Sequence, residues 1–231
     1  MYKRQRLIRA ATRVNGMRGE DVTANARRMM NVPERLGWDG DCHVRGEVVM
    51  PLKVFREKYS EVAPNPRNLA AGALRQKYAD AGKGSPRDLK FLAYGVEFPS
   101  EKDRHPDSPE PPEFKLDSEI ISWIGEMGIQ VAGNNVVSGD DDTTTTESIL
   151  AVTREWLESR NSADWEIDGV VIKLDRLDKR GLLGETAHHP RWALAWKFPA
   201  EEAVTVLMDV SWQTGRTVSY THLTLPTSVT V

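Results

Sequence analysis

Two short stretches set charges among apolar residues in an order that could act on an anion. The first is Glu166-Ile167-Asp168-Gly169-Val170-Val171-Ile172-Lys173, apolar enough to be buried yet carboxylate-bearing at one end and basic at the other. In a strand, alternate residues share a face, so Gly169, Val171 and Lys173 lie on one side and Asp168, Val170 and Ile172 on the other. A lysine carried into such a strand needs a partner, because desolvation disfavours its charged form. A bound phosphate would be one, and Asp168 at the strand's mouth could hold a divalent metal against that phosphate. The competing reading is an Asp-Gly turn and a lysine whose head reaches water. If Asp168 and Lys173 serve one site, a bulge or a strand end must re-aim one of them.

The second stretch is Arg191 to Phe198, RWALAWKF. One face carries Trp192, Leu194, Trp196 and Phe198. The other carries only Ala193, Ala195 and Lys197, which leaves room for an anionic group against the sheet. A solvent-facing strand with its lysine in water is the alternative. In Val44 to Val48, VRGEV, Arg45 and Glu47 share a face. They read either as a surface ion pair between strands or as a carboxylate accepting hydrogen bonds from ribose hydroxyls. In Asn65 to Gln76, NPRNLAAGALRQ, Arg67, Ala71 and Arg75 fall on one helical stripe. Two arginines beside small residues could grip phosphates bidentately, or could be solvated while the small residues pack against a sheet.

The elements that must position these residues follow from periodicity and caps. A short helix is expected over Gly19 to Met30, ended by Pro33. His43 to Met50 alternates like a strand. Pro51 suits the first turn of a helix through Tyr59. Asn65-Pro66 is an N-cap followed by proline at the first helical position, opening a helix to about Lys77. Leu89 to Phe98 is a strand candidate, and the proline-rich Pro99 to Pro112 a surface loop. A helix over Asp117 to Met127 and a strand over Gln130 to Val137 come next. Gly139 to Thr146 reads as a polar loop and Glu147 to Arg160 as a helix. Strands over Trp165 to Leu174, Arg191 to Phe198 and Val204 to Trp212 complete the series. The fold class is α+β with largely antiparallel sheets.

Composition narrows the function classes. The chain has 231 residues, 39% hydrophobic and 28% charged, as in a soluble globular protein. No apolar run reaches the length of a membrane span, and no signal peptide precedes the basic start; a cytoplasmic protein with no membrane partner is expected. One cysteine, Cys42, excludes an internal disulfide or a cysteine-rich zinc site within the chain. A net charge of −3 argues against a uniformly basic nucleic-acid binder, so any phosphate contact must use local clusters.

Taken in order, a further set of stretches carries a resemblance. They are Arg9-Ala10-Ala11-Thr12-Arg13, Gly19-Glu20-Asp21-Val22-Thr23 with Asn25, Val44 to Val48, and Asn65-Pro66-Arg67-Asn68 with Ala70-Ala71-Gly72 and Leu74-Arg75-Gln76. Tyr94-Gly95-Val96, Asp168 to Lys173, Leu183-Gly184, Pro190 to Ala193, Lys197-Phe198-Pro199-Ala200 and Gly215-Arg216-Thr217 follow. The series resembles the adenylation domain of bacterial NAD-dependent DNA ligases, running into the first strand of their OB domain. The resemblance implies a nucleotidyltransferase (ATP-grasp-like) core of antiparallel sheets flanked by helices. It implies a reaction in which a lysine takes AMP from NAD, AMP passes to the 5′-phosphate at a nick, and a 3′-hydroxyl displaces it.

By the same resemblance, Glu47 would bind the adenylate ribose and Tyr94 would stack near the adenine. Lys173 and Lys197 would contact nucleotide phosphates, Asp168 would help place magnesium or manganese, and Arg13 would line the NAD pocket. Arg67, Arg75 and Arg160 would hold nicked duplex DNA. A monomer is expected.

The match has departures. The attacking lysine of the family's Lys-x-Asp-Gly motif is not in these residues, nor is the family's zinc site, so the chain alone is expected to be inactive. The alternative is a non-catalytic nucleotide- or DNA-binding module. Val14-Asn15-Gly16 stands where the family has a Gly-Asp-Gly turn, and Phe55 to Pro64 is short. Tyr2 to Gln5 can be encoded by TAT AAG AGA CAG, whose reverse complement in a shifted frame encodes Val218-Ser219-Tyr220. Residues 1–5 and 218–231 are therefore expected to be non-native tails. Residues 6–199 would be the adenylation domain without its N-terminal part, and 200–217 the start of the OB domain.

Overall fold

The computed structural model describes residues 1–12, 19–77, 82–186 and 189–199. The chain divides into two units, Met1–Lys197 and Phe198–Val231. Only Phe198 and Pro199 of the second are described, so the strand expected over Val204 to Trp212 lies outside the described residues.

The first unit begins with a small antiparallel hairpin, β1 (Tyr2–Lys3) and β2 (Arg6–Leu7). Tyr2 is buried, exchanges backbone hydrogen bonds with Cys42, and donates its hydroxyl to the Pro33 carbonyl at 2.8 Å. Helix α1 (Thr23–Ala26) is a single turn, shorter than the helix expected over Gly19 to Met30. Past it the backbone tightens, because Arg28 N–H bonds to Asn25 and Met29 N–H to Ala26, three residues back rather than four.

The central frame is an antiparallel pair of strands, β3 (His43–Val49) and the later β4 (Lys90–Glu97). Between them in sequence come α2 (Leu52–Lys58) and α3 (Pro66–Arg75). Helix α3 starts as its sequence specifies: Asn65 accepts from the Asn68 N–H at 3.0 Å, and Pro66 occupies the first turn. It buries Pro66, Leu69, Ala70 and Ala73. The last three pack with Met29, Met50, Tyr59 and Leu89 in one core cluster. The other cluster joins Tyr2, Leu7, Leu36, Cys42 and Ala93 to Ile124 and Ile129. Ile124 belongs to α4 (Asp117–Glu126), which packs on β4. Burying a side chain of this size contributes about 1.5–3 kcal/mol.

Two expectations need correction. The strand over Gln130 to Val137 is reduced to one parallel bridge, Ala93 with Val131. Beyond it the chain leaves β4 and turns to α5 (Asp142–Glu158), where Trp156 Nε1–H donates to Asn135 at 2.8 Å and the indole lies against Gly133. The polar run Gly139 to Thr146 is not wholly a loop, because its second half is the first turn of α5. Asp141 caps this helix by accepting from the Thr144 N–H at 2.8 Å. The Thr145 and Thr146 hydroxyls donate back to the Asp141 and Asp142 carbonyls, each at 2.7 Å.

A second antiparallel pair closes the unit: β5 (Gly169–Lys173) and β6 (Ala193–Lys197), with α6 (Leu177–Leu183) between them in sequence. Both strands are shorter than expected. The α+β class with antiparallel pairing holds.

Candidate functional site: a two-lysine strand pair

The register of β5 on β6 sets Gly169 opposite Lys197, Val171 opposite Ala195, and Lys173 opposite Ala193. Directly opposed residues share a face. Lys173 and Lys197 therefore stand at diagonal corners of one face, about 13 Å apart along the strand direction. Only Gly169, Val171, Ala193 and Ala195 lie between them. Val171 is 61% exposed, so the floor between the lysines is open. On the other face Leu194 and Trp196 are also exposed.

Asp168 precedes the first ladder residue, so it sits at a strand end free of the strict alternation. Its carboxylate turns toward the face of Lys197, whose ammonium donates to it at 3.0 Å. Arg67 from α3 donates to the same oxygen at 3.2 Å. The Lys197 hydrogen bond, with that of Arg67, holds the Asp168 carboxyl below its usual range despite some desolvation. All three side chains are at least half exposed.

Lys173 belongs to a separate cluster. Its ammonium donates to the Tyr94 carbonyl and to the Asp117 carboxylate, each at 3.3 Å, and lies 5.9 Å from the centre of the Tyr94 ring. Tyr94 is placed by a bulge in β4. Arg45 pairs with Gly95 and Gly46 with Ala93, which leaves Tyr94 as the extra residue. A side chain at position 46 would strike the Leu92 carbonyl and the Phe91 ring, so the close approach at the bulge needs glycine. Asp117 also accepts from Arg180 at 2.9 Å, and that guanidinium lies 4.1 Å over the Trp192 ring.

Of the residues singled out from sequence, the structure brings together Asp168, Lys197 and Arg67, and separately Lys173 and Tyr94. It does not join Asp168 to Lys173. Glu47 is exposed on β3, and Arg45 pairs with Glu97 of β4 at 2.8 Å rather than with it. Arg67, Ala71 and Arg75 do form an exposed stripe on α3, and Arg75 pairs with Glu20 at 3.5 Å. Exposed pairs of this kind are worth about 0–1 kcal/mol, so either arginine can exchange its carboxylate for a phosphate. Arg160 lies half buried in the 3₁₀ turn Ser159–Ser162 after α5. Arg13 lies outside the described residues. Asp117 and Arg180 were missed, since their pairing spans 63 residues and no local pattern announces it.

Magnesium is commonly held by one or two carboxylates and completed by substrate phosphates and water. Asp168 offers one carboxylate, and among the described residues no three metal-ligating side chains converge. A single carboxylate, already shared with Lys197 and Arg67, suffices only for an ion that substrate phosphates and water also hold.

An open floor of small residues between two lysines, on an antiparallel α+β frame, suits a domain that handles nucleotide phosphates. A family model for the NAD-dependent DNA ligase adenylation domain matches residues 1–201, and the chain belongs to this family. It is 36% identical over 223 residues to the DNA ligases of Bacillus cereus (strain AH820), Bacillus anthracis (strain A0248) and Bacillus thuringiensis (strain Al Hakam). Each match covers 94% of this chain and 31% of the relative, so the chain spans about a third of their length. Among the described residues no helix is long and apolar enough to cross a membrane.

Proposed function

We propose that this chain is the adenylate-handling part of an NAD-dependent DNA ligase, which joins 3′-hydroxyl and 5′-phosphate ends at nicks in duplex DNA. The observation that carries this reading is the β5–β6 register, which gives Lys173 and Lys197 one open face with only small or short side chains between. On that floor the two ammonium groups neutralise phosphate charge as it develops in adenylate transfer. Glu47 accepts from the ribose hydroxyls, Tyr94 stacks near the adenine, and Arg13 lines the NAD pocket. A magnesium or manganese ion held at Asp168 would supply further neutralisation of phosphate charge. Arg67, Arg75 and Arg160 hold the phosphates of the nicked duplex.

The AMP acceptor is a lysine outside these residues, since the sequence contains no Lys-x-Asp-Gly. The chain alone therefore binds adenylates without forming the lysyl-adenylate that precedes DNA-adenylate. Incubation with NAD labelled in its adenylate phosphate tests this; AMP-modified chain would refute it. The wider reading is tested by replacing the matching segment of the Bacillus cereus ligase with residues 6–199 and assaying nick sealing. In an active chimera, Lys197→Ala and Asp168→Ala should each lower sealing by about 100-fold or more. Undiminished sealing by both variants would overturn the site.

A further inference from the structure

Lys173 has three N–H bonds to give. One goes to the Tyr94 carbonyl and one to Asp117 Oδ2, both at 3.3 Å, which leaves one to point at a ligand. The second oxygen of Asp117 takes Arg180 Nη1 at 2.9 Å. Arg180 is itself pinned: its Nε donates to the Leu174 carbonyl at 2.7 Å, and its guanidinium stacks on Trp192. These side chains are well covered, with Asp117 16%, Arg180 13% and Lys173 26% exposed.

The backbone beneath Asp117 is equally fixed. Its N–H donates to the Asp175 carbonyl at 2.8 Å, and the next residue, Ser118, binds the Asp175 carboxylate through N–H and hydroxyl at 2.8 and 2.9 Å. The Leu177 N–H returns to the Lys115 carbonyl at 2.9 Å. The start of α4 is thus stitched to the turn that leaves β5, and the carboxylate cannot drift from Lys173.

We propose that Asp117 is a positioning residue for Lys173, and that Arg180 positions Asp117, so that the ammonium is held with one N–H aimed at the nucleotide phosphate. The inference rests on the proposed role of Lys173 in adenylate binding. Asp117 touches no substrate and acts through the lysine. Its charge also lets a lysine and an arginine share a largely covered space, leaving the cluster one net positive charge for the phosphate.

Asp117→Asn makes the idea testable, because position and simple charge predict opposite signs. Removing a negative charge beside a phosphate site should tighten phosphate binding if nothing else changes. An amide, however, has a single acceptor oxygen, so it must release Lys173 or Arg180. If Asp117 aims the lysine, phosphate binding weakens instead.

The experiment compares AMP with adenosine as ligands of the chain by calorimetry, since their affinity ratio isolates the phosphate. The expected result is that Asp117→Asn lowers the AMP-to-adenosine preference about tenfold. Lys173→Ala should lower it comparably, and the double variant should lower it no further. Arg180→Lys, which keeps the charge, should produce a smaller loss in the same ratio. An unchanged or raised ratio in Asp117→Asn would overturn the proposal. So would equal losses of AMP and adenosine affinity, because a purely structural role moves both ligands together. Failure of the underlying reading looks different: the unmodified chain would then bind AMP no better than adenosine, and both conclusions would fall.

Discussion

The bulge that presents Tyr94 depends on Gly46, and the dependence can be measured. In Gly46→Ala the new methyl carbon would sit 2.5 Å from the Phe91 ring and closer still to the Leu92 carbonyl oxygen. An ordinary carbon–oxygen contact is about 3.3 Å, so the strands must part by roughly 1 Å. The oxygen belongs to the backbone of the paired strand, so it cannot swing aside as a side chain would. Overpacking of this kind costs about 1–3 kcal/mol. For a chain of this size each kcal/mol moves the thermal midpoint by about 2–4 °C, so a fall of about 2–12 °C is expected. Gly72→Ala is the matched control. Gly72 lies within α3, and a methyl there would meet nothing within 4 Å. That substitution should raise stability by about 0.5–1 kcal/mol, through the helix preference of alanine over glycine. The assay is calorimetric unfolding of both variants beside the unmodified chain. The same chemical change should give opposite signs at the two sites. Equal midpoints, or a rise in Gly46→Ala, would refute the bulge geometry. The first variant should also weaken AMP binding, since the Tyr94 carbonyl that holds Lys173 would move with the bulge.

Three other outcomes are expected. Asn65→Ala removes the acceptor for the Asn68 N–H and should cost about 1 kcal/mol, seen as a lower urea midpoint with unchanged slope; a stable variant would show that the cap is not needed. Cys42 is fully buried, and burial pushes its thiol up to about 11. Iodoacetamide at pH 8 should leave the folded chain unmodified by mass spectrometry and label it only in urea, so rapid labelling of the native chain would contradict the packing. Asp168 has a depressed folded pKa, so its contact with Lys197 and Arg67 contributes in full above the unfolded value near ~3.9. The contribution is lost only as pH falls through the lower folded value. A carboxyl NMR titration of Asp168 should thus be flat from pH 5 to 8, and a midpoint above pH 4 would disprove the arrangement.

Much of the frame was legible because local rules and tertiary packing agree there. Asn65 and Pro66 specify the start of α3 without help from elsewhere, and alternation marks β3 and sorts the faces of β5 and β6. The two lysines were legible as strand-face residues, and the uncertainty over Asp168 resolves because the ladder starts one residue after it. The failures have physical causes. Threonine runs read as loop because threonine is a modest helix former, yet the Asp141 cap and the hydroxyl bonds to preceding carbonyls carry the first turn of α5. Gln130 to Val137 has strand composition, but Trp156 draws the chain off β4 after one bridge. Asp117 and Arg180 escaped notice because each belongs to an ordinary helix locally, and only folding brings them together around Lys173.

The β5–β6 pair has a consequence for how the protein can go wrong. With both faces of the pair substantially exposed, no deep core penalises a slip of one strand along the other. A shift of β6 by one residue would put Trp196 where Lys197 belongs and turn the ammonium to the opposite face. Such a molecule would keep its helices and its core clusters, yet its floor would hold one lysine instead of two. At Gly169 the two strands lie so close that an added side chain would strike the Trp196 carbonyl and crowd the Lys197 Cα. One hydrogen atom in place of a side chain thus lets the strands close at the corner where Lys197 meets Asp168.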